Sequence, residues 1–318
     1  MLIDKPLPEL LVYQGRNPKP RDFDEYWERA IKELDSVLPA AELIPAEFKC
    51  SSVDCYDLWY TGVRNARIHA KYVLPKNIKS PIPAAFLFHG YSGSAPDWSS
   101  LLSYACAGMA IAAMDCRGQG GLSEDTGGVK GTTLRGQIIR GLDDSPDNLL
   151  FRHIFLDTVQ LVRAVTGFGE IDKNRLACFG GSQGGGLTIA CAGLEPRIKR
   201  AAPRYPFLCD YKRVWEMDLA KDAYMELKEF FRHHDPQHKR EDEIFYKLGY
   251  IDTQFLAPGI KAEVLMQTGL MDTVCPPSTQ FAAYNKITSK KNVLIYPDFA
   301  HEEGPGMGDN TFNFISGV

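Results

Sequence analysis

The sequence predicts an α/β fold with a mostly parallel central sheet that is covered by helices on both faces. Short apolar runs of strand length alternate with segments of helical periodicity through the middle and the C-terminal part of the chain. Strands that are separated by helices usually pair in parallel, because each crossover helix returns the chain to the same edge of the sheet. No linker rich in Pro, Gly or Ser divides the 318 residues, so we expect residues 1–318 to form a single domain.

The composition excludes several classes of protein. Hydrophobic residues make up 44% and charged residues 24%, which is ordinary for a globular chain and not for a disordered one. The net charge of -4 argues against a nucleic-acid or anionic-membrane binder. No apolar run approaches the ~20 residues of a membrane span, and the start lacks the pattern of a signal peptide. Several of the eight cysteines lie in apolar stretches, so we expect free thiols and a cytoplasmic protein.

The periodicity places the elements in chain order. Residues 22–38 predict a helix, because apolar side chains recur every three or four residues from Phe23 onward and Pro39 ends the pattern. Residues 53–73 predict antiparallel strands, because they alternate without a crossover helix. Five further strands are expected at 84–88, 109–114, 175–179, 262–267 and 292–296, with helices at 155–166, 187–194 and 278–287.

Two segments interrupt this alternation. Residues 118–146 are rich in Gly, Asp and Thr and are too long for an ordinary connection, which favours a functional or interfacial loop. Residues 206–258 carry aromatic and charged residues at helical spacing and predict an inserted helical lid. A plain helical layer of the fold remains the alternative for this second segment.

The strongest local signal is a glycine-rich turn around Ser182. The run Gly180-Gly181-Ser182-Gln183-Gly184-Gly185-Gly186 follows a predicted strand and precedes a predicted helix. Glycines two before and two after a nucleophile let the strand and the helix approach in the strained turn known as the nucleophile elbow. We therefore expect Ser182 to be a nucleophile. The turn lacks the lysine of a phosphate-binding loop, so we exclude a phosphate-binding function for it.

A second glycine-rich turn, His89-Gly90-Tyr91-Ser92-Gly93, follows the strand at 84–88. In this architecture the loop after an early strand offers one backbone N–H to the developing oxyanion, and the residue after the nucleophile offers another. The main-chain amides of Tyr91 and Gln183 are therefore the expected oxyanion hole. His89 precedes the elbow in the chain, and we interpret it as a structural residue that orients the loop.

A nucleophilic serine needs a base, and the base needs a carboxylate that fixes its tautomer. The expected chain order is Ser, then Asp or Glu, then His, each on a loop after a strand. Asp272 and His301 follow the last two predicted strands, at the edge where open α/β sheets place their sites. Asp298 and Glu302 are rival acids, but each is too close to His301 in sequence to turn back easily onto its ring. We expect neither a metal nor another cofactor, since the spacing of His233, His234 and His238 matches no known metal motif.

Taken together, these residues resemble the acetyl xylan esterase and cephalosporin-C deacetylase family, the seventh carbohydrate-esterase family. The likeness covers essentially the whole chain and depends on Arg117-Gly118-Gln119, Gly180-Gly181-Ser182-Gln183-Gly184 and His301-Glu302. The resemblance implies an α/β-hydrolase fold, the triad Ser182, Asp272 and His301, and structural roles for Arg117, Gly118, Gln119, Gly180 and Gly184. It also implies an acyl pocket closed by Tyr91 and Phe207. The run Glu303-Gly304-Pro305-Gly306 departs from the family pattern, because it is a looser loop than we expect before a last helix.

The resemblance implies a substrate class and an assembly as well. The expected substrates are acetylated xylo-oligosaccharides, other acetylated sugars and cephalosporin C, with no nucleic acid or membrane as partner. The expected assembly is a ring-like homo-hexamer in which the segment 118–146 extends across a subunit contact. Without the resemblance, the residues predict only a serine hydrolase of α/β type. A hydrolase of another small ester or of a peptide, and a hydrolase-like binding protein without catalysis, remain the alternatives.

Overall fold

The computed structural model of the chain describes residues 3–79, 81–126 and 135–318. Part of the predicted interface loop, residues 127–134, therefore lies outside the described residues. The strands are β1 (Glu42–Pro45), β2 (Val53–Thr61), β3 (Arg67–Pro75), β4 (Ile82–Phe88), β5 (Ala110–Met114), β6 (Ile171–Gly181), β7 (Ile198–Arg204), β8 (Glu263–Gly269) and β9 (Lys291–Tyr296). The helices are α1 (Leu7–Leu10), α2 (Phe23–Asp35), α3 (Leu102–Cys106), α4 (Leu150–Val165), α5 (Gln183–Leu194), α6 (Tyr211–Glu216), α7 (Met225–His234), α8 (Glu241–Leu248), α9 (Pro277–Lys286) and α10 (Met307–Ser316).

The strands form a single sheet in the order β1-β2-β3-β5-β4-β6-β7-β8-β9. The first three strands and the β3–β5 pair are antiparallel, and every pair from β5 to β9 is parallel. The parallel strands therefore end at one edge of the sheet, and the loops that follow them meet there. This is an α/β-hydrolase fold, and the prediction of a mostly parallel sheet flanked by helices is confirmed.

Two apolar layers cover the faces of the sheet. On one face α2, α4 and α5 pack in a large core, where Trp27 stacks on Phe155 with ring centroids 5.9 Å apart. On the other face α3 and α10 form a smaller core, in which Tyr104 contacts Phe179 and Phe312. Burial on both faces explains why β4 and β5 carry only apolar side chains.

Most predicted elements are found, with shifted ends. The helix predicted at 22–38 ends at Asp35, and the helix predicted at 155–166 begins earlier, at Leu150. The antiparallel pair within 53–73 is confirmed. Strand β7 has no counterpart in the prediction, because Lys199, Arg200 and Pro203 interrupt its apolar pattern although it lies between two parallel strands.

The segment 206–258 contains α6, α7 and α8, whose buried aromatic side chains belong to the large core. Trp215 and Phe231, for example, pack with ring centroids 4.8 Å apart. After His301 the chain turns through Gly306, which has a positive φ of 78°, directly into α10. The side chain of Gln267 on β8 donates to Thr311 Oγ1 on that helix over 2.8 Å, so the helix that follows the run 303–306 is packed against the sheet. Among the described residues, no helix is long and apolar enough to cross a membrane.

Candidate active site

Ser182 lies in a sharp turn between β6 and α5. Its φ of 57° and ψ of -121° are a backbone conformation that non-glycine residues rarely adopt, and it persists where the surroundings enforce it. The Ser182 N–H donates to the Arg204 carbonyl over 3.1 Å, and the Ser182 carbonyl accepts from Gly186 N and Phe207 N. The bonds with Arg204 and Phe207 hold the turn from β7 and the residues after it, and the bond from Gly186 belongs to the first turn of α5.

The glycines beside Ser182 allow this turn. A Cβ on Gly180 would lie 2.5 Å from the Phe88 carbonyl oxygen, and a Cβ on Gly184 would overlap the same oxygen. Strand β4 therefore passes too close for any side chain at either position. These contacts explain why the motif requires glycine at both positions.

His301 connects Ser182 to Asp272. Its Nε2 lies 2.9 Å from Ser182 Oγ, and its Nδ1 lies 2.8 Å from Asp272 Oδ2. The Tyr205 ring packs edge-on against the imidazole, with ring centroids 4.9 Å apart. The structure thus brings the three predicted residues together in hydrogen-bonding order, from three loops at one edge of the sheet.

Asp272 is fully buried and accepts every hydrogen bond that it makes. Its Oδ1 accepts from the main-chain N–H groups of Val274 and Cys275, each over 2.8 Å. Its Oδ2 accepts from His301 and, over 3.3 Å, from Gln280 Nε2. This all-acceptor pattern suits a carboxylate that orients an imidazole. Of the rival acids, Glu302 instead accepts from the main-chain N–H of Ala300.

Two glutamines hold the turn at residues 89–93 against the nucleophile elbow. Their side-chain amides pair with each other, Gln119 Nε2 donating to Gln183 Oε1 over 2.9 Å. Gln119 Oε1 also accepts from Ser92 N over 2.9 Å, and Gln183 Nε2 lies 3.4 Å from the Gly90 carbonyl. Gln183 is the first residue of α5, where a backbone N–H has no acceptor within the helix. The structure therefore places Tyr91 and Gln183 on two mutually braced segments next to Ser182.

His89 and Arg117 stabilise this arrangement from behind. His89 Nε2 accepts from Cys116 N over 3.0 Å, so its Nδ1 carries the proton and donates to the Gly90 carbonyl. Burial lowers the pKa of His89, which favours this neutral form. Arg117 is fully buried and forms two hydrogen bonds of 2.6 Å with Asp157. The hydrogen bonds of both residues go to other parts of the protein, and their structural roles stay predictions.

Ser182 and His301 line a cavity of about 420 Å³. Tyr205, Arg204, Pro96 and the turn at 89–90 form much of its remaining wall. A larger cavity of about 740 Å³ lies between α2 and residues 255–259, and it contains none of the three triad residues. The chemistry of the residues, and not the size of the space, identifies the site.

One predicted wall residue requires correction. Phe207 does not line the cavity around Ser182, because its side chain is fully buried among Tyr91, Tyr224 and the core. Its ring meets that of Tyr91 edge-on, with centroids 5.7 Å apart. Tyr91 is half-buried and is also absent from the wall of this cavity. Phe207 therefore packs behind Tyr91, and the prediction that Phe207 lines the substrate pocket is wrong.

Sequence reasoning missed several residues at the site. Cys275 is fully buried beside the triad, and burial raises the pKa of its thiol well above the usual range. One ligand atom each of Cys275, Asp272 and His301 lies within 4.8 Å of the others. Both ring nitrogens of His301 are already hydrogen-bonded to Asp272 and Ser182, so this arrangement suits proton transfer better than metal binding. The contact of the Tyr205 ring with His301 has no motif or spacing in the sequence that would predict it.

Comparison with known proteins places the chain among esterases. The family model described as acetyl xylan esterase matches residues 1–318. An acetyl esterase, Axe7A, of Xylanibacter ruminicola is 28% identical over 307 residues, and these cover 92% of this chain and 66% of that protein, just under two thirds of its length.

Two solved structures are similar throughout. Acetyl xylan esterase 1 from Thermoanaerobacterium sp. JW/SL YS485 is 56% identical with a TM-score of 0.95, covering 99% of each chain. The acetyl xylan esterase from Paenibacillus sp. R4 is 36% identical with a TM-score of 0.92, covering 99% of this chain and 100% of the other.

Proposed function

The chain belongs to the acetyl xylan esterase family, and we propose that it uses Ser182, His301 and Asp272 to remove acetyl groups from acetylated xylo-oligosaccharides and other acetylated sugars. Members of this family are carboxylic ester hydrolases, and so is this chain. The observation that carries the proposal is the continuous hydrogen-bonded series from Ser182 Oγ through His301 to buried Asp272, at 2.9 Å and 2.8 Å, beside an open cavity.

In the first half-reaction Ser182 attacks the carbonyl carbon of the acetyl ester. His301 Nε2 accepts the Ser182 Oγ proton as the new C–O bond forms, and the carbonyl π electrons move onto the oxygen. Asp272 accepts the hydrogen bond from Nδ1–H and stabilises the imidazolium. The main-chain N–H groups of Tyr91 and Gln183 then donate to the oxyanion, aided by the N-terminus of α5.

Collapse of the tetrahedral intermediate completes the transfer. The bond to the sugar oxygen breaks, and His301 returns its proton to that oxygen, so the sugar leaves as a neutral alcohol and the acetyl group stays on Ser182. Water then attacks the acetyl-enzyme with His301 as base, and acetate departs as Ser182 regains its proton. In both half-reactions, every proton and electron pair is supplied by these residues, the ester and water, so the reaction needs no cofactor.

We extend the proposal to the acyl group and to a second substrate. Acetate should be preferred over longer acyl chains, because the chain belongs to a family of acetyl esterases. Each methylene that cannot be accommodated should cost on the order of 1–3 kcal/mol in the transition state. Cephalosporin C also carries an acetyl ester, and its deacetylation belongs to the same proposal.

We also propose an oligomeric state and a cellular location for the protein. We propose a homo-oligomer larger than a dimer, and a hexamer as its form. The part of segment 118–146 that the structure describes includes Leu122, a leucine that is 60% exposed. All eight cysteines are free, which suits a reducing, cytoplasmic environment.

The proposed function is tested by kcat/KM on two series of substrates. Acetate, butyrate and octanoate esters of one phenol measure the acyl preference, and we expect acetate to be at least about tenfold better than butyrate and octanoate to be nearly inert. Acetate release from acetylated xylo-oligosaccharides and from cephalosporin C measures the alcohol side. An efficiency that rises with acyl length would overturn the deacetylase assignment, and failure of a fluorophosphonate to label Ser182 would favour a binding protein.

A further inference from the structure

A second cavity adjoins the one that contains Ser182. Its volume is about 660 Å³, and three residues stand in the walls of both cavities: Leu87, Pro96 and Arg204. Because they share these walls, the two spaces lie side by side, and the second extends from the active-site cavity towards α3 and α10. Each space has the size usual for small-molecule sites, roughly 300–1,000 Å³.

We call the second space the outer groove, and its lining is polar at the rim and aromatic at the base. The base contains Tyr104, which contacts the rings of Phe179 and Phe312 at centroid distances of 4.8 Å and 5.2 Å. The rim carries exposed hydroxyl and carboxylate groups, from Ser100, Ser103, Glu303 and Asp309.

Arg204 stands at the junction of the two cavities. Its main-chain carbonyl accepts from Ser182 N over 3.1 Å, so the position of this residue is coupled to that of the nucleophile. Its guanidinium forms an ion pair with Glu303. Its Nε is buried and has no hydrogen-bond partner among the described residues. Buried guanidinium nitrogens of Arg117 and Arg152 also lack a partner among the described residues, so the position of Arg204 between the two cavities, and not this atom alone, makes its side chain a candidate to contact a ligand.

We propose that the outer groove binds the carbohydrate chain beyond the acetylated sugar, as a subsite for at least one further pyranose unit. This inference rests on the proposed function, since it concerns the alcohol part of the same ester. A pyranose ring has apolar C–H faces and a rim of neutral hydroxyls. The aromatic base suits such a face, and the carboxylates with Arg204 suit the hydroxyls, as donors and acceptors in one place.

The acyl part of the ester does not suit the outer groove. A long alkyl chain would pass the charged Arg204–Glu303 pair and would desolvate it without offering a hydrogen bond in return. An oligosaccharide can replace the lost water with its hydroxyls. The outer groove therefore lies on the leaving-group side of Ser182. As a result, kcat/KM should depend on the number of sugar units in the substrate.

The test compares acetylated xylose, xylobiose and xylotriose with an aryl acetate that is too short to reach the outer groove. For the unmodified protein we expect kcat/KM to rise at least about fivefold from acetylated xylose to acetylated xylotriose, because remote binding energy lowers the barrier. Ser103→Trp places a bulky side chain at the exposed rim and should lower the ratio of xylotriose to aryl acetate efficiency about fivefold, the gain that the outer groove is expected to supply.

Ser99→Trp is the matched control, because Ser99 is also exposed, lies four residues away and lines neither cavity. It should leave the ratio unchanged. Equal efficiency on all three acetylated sugars, or equal ratios in Ser103→Trp and Ser99→Trp, would overturn the subsite while leaving the esterase function intact. No acetate release from any acetylated sugar, with the aryl acetate still cleaved, would instead overturn the proposed function itself.

Discussion

At the scale of single residues, the sequence predicted the three triad residues better than it predicted the residues that surround them. Ser182, Asp272 and His301 could be predicted because a strained elbow needs glycines and because catalytic loops follow strands in a known order. Phe207 could not be placed, since a buried phenylalanine and one that lines a cavity have the same sequence signal. The contacts of Tyr205 and Cys275 were likewise invisible, because they depend on how loops distant in sequence meet.

The triad predicts graded losses of activity. Ser182→Ala should lower kcat on an aryl acetate at least about 10³-fold, His301→Ala should lose about as much, and Asp272→Asn should retain more. The melting temperature of each variant checks that the fold is intact. Ser99→Ala, outside both cavities, is the control and should keep its activity. Turnover that is undiminished in Ser182→Ala would exclude Ser182 as the nucleophile.

The buried carboxyl group of Glu226 should make the stability of the protein depend on pH. It is buried, and burial raises its pKa to about 7, against the opposing effect of main-chain N–H groups that include those of Ile138 and Ile139. An acid with a raised folded-state pKa contributes stability below its unfolded pKa, about 4.5, and loses it as the pH rises through about 7. The loss should be on the order of 3 kcal/mol at most.

Glu226→Gln removes this titration, so the fall in melting temperature between about pH 4.5 and 7.5 should become shallower. Buried Asp252, whose pKa is also raised to about 7 by burial, titrates equally in both proteins and cancels from the comparison. Glu229→Gln makes the same chemical change at a more exposed position of α7 and serves as control. Parallel pH profiles for the unmodified protein and Glu226→Gln would contradict the interpretation.

At the scale of elements, the alternation of apolar runs and helical segments predicted most of the sheet. It failed at β7, because a strand covered on both faces need not be apolar at every position. Arg200 there donates to the Phe314 carbonyl of the C-terminal helix, and Arg204 lines the active-site cavity. Arg200, one of the residues that hid this strand from the sequence pattern, therefore gives it a contact with the C-terminal helix.

Strand β4 and helix α5 approach each other closely at Gly184, so a side chain added at this position should destabilise the protein. Gly184→Ala should lower the melting temperature by at least about 5 °C and reduce activity, because the new Cβ overlaps the main-chain oxygen of Phe88, which no rotamer change can relieve. Gly169→Ala makes the same change at a turn where a Cβ meets nothing within 4 Å, and it should melt like the unmodified protein. A Gly184→Ala variant as stable as Gly169→Ala would contradict this account of the elbow.

At the scale of the whole molecule, the fold class followed from the sequence, whereas the assembly did not. A parallel sheet can be inferred from the order of its elements, but a subunit contact depends on the shape of the surface. The segment 118–146 predicts an oligomer because a connection of that length is seldom idle. Light scattering at micromolar concentration should give a mass above that of a dimer, and a particle of 35.5 kDa would contradict the prediction.

Transfer of an acetyl group to Ser182 is the event on which the proposed activity depends, and it can be observed directly. Mass spectrometry of protein quenched in acid during turnover of an aryl acetate should find one acetyl group on the peptide that contains Ser182. The same peptide from His301→Ala should carry far less, because attack needs the base. Steady turnover with no acetyl group on that peptide, or with the acetyl group on another residue, would contradict the assignment of Ser182 as the nucleophile of an acetyl esterase.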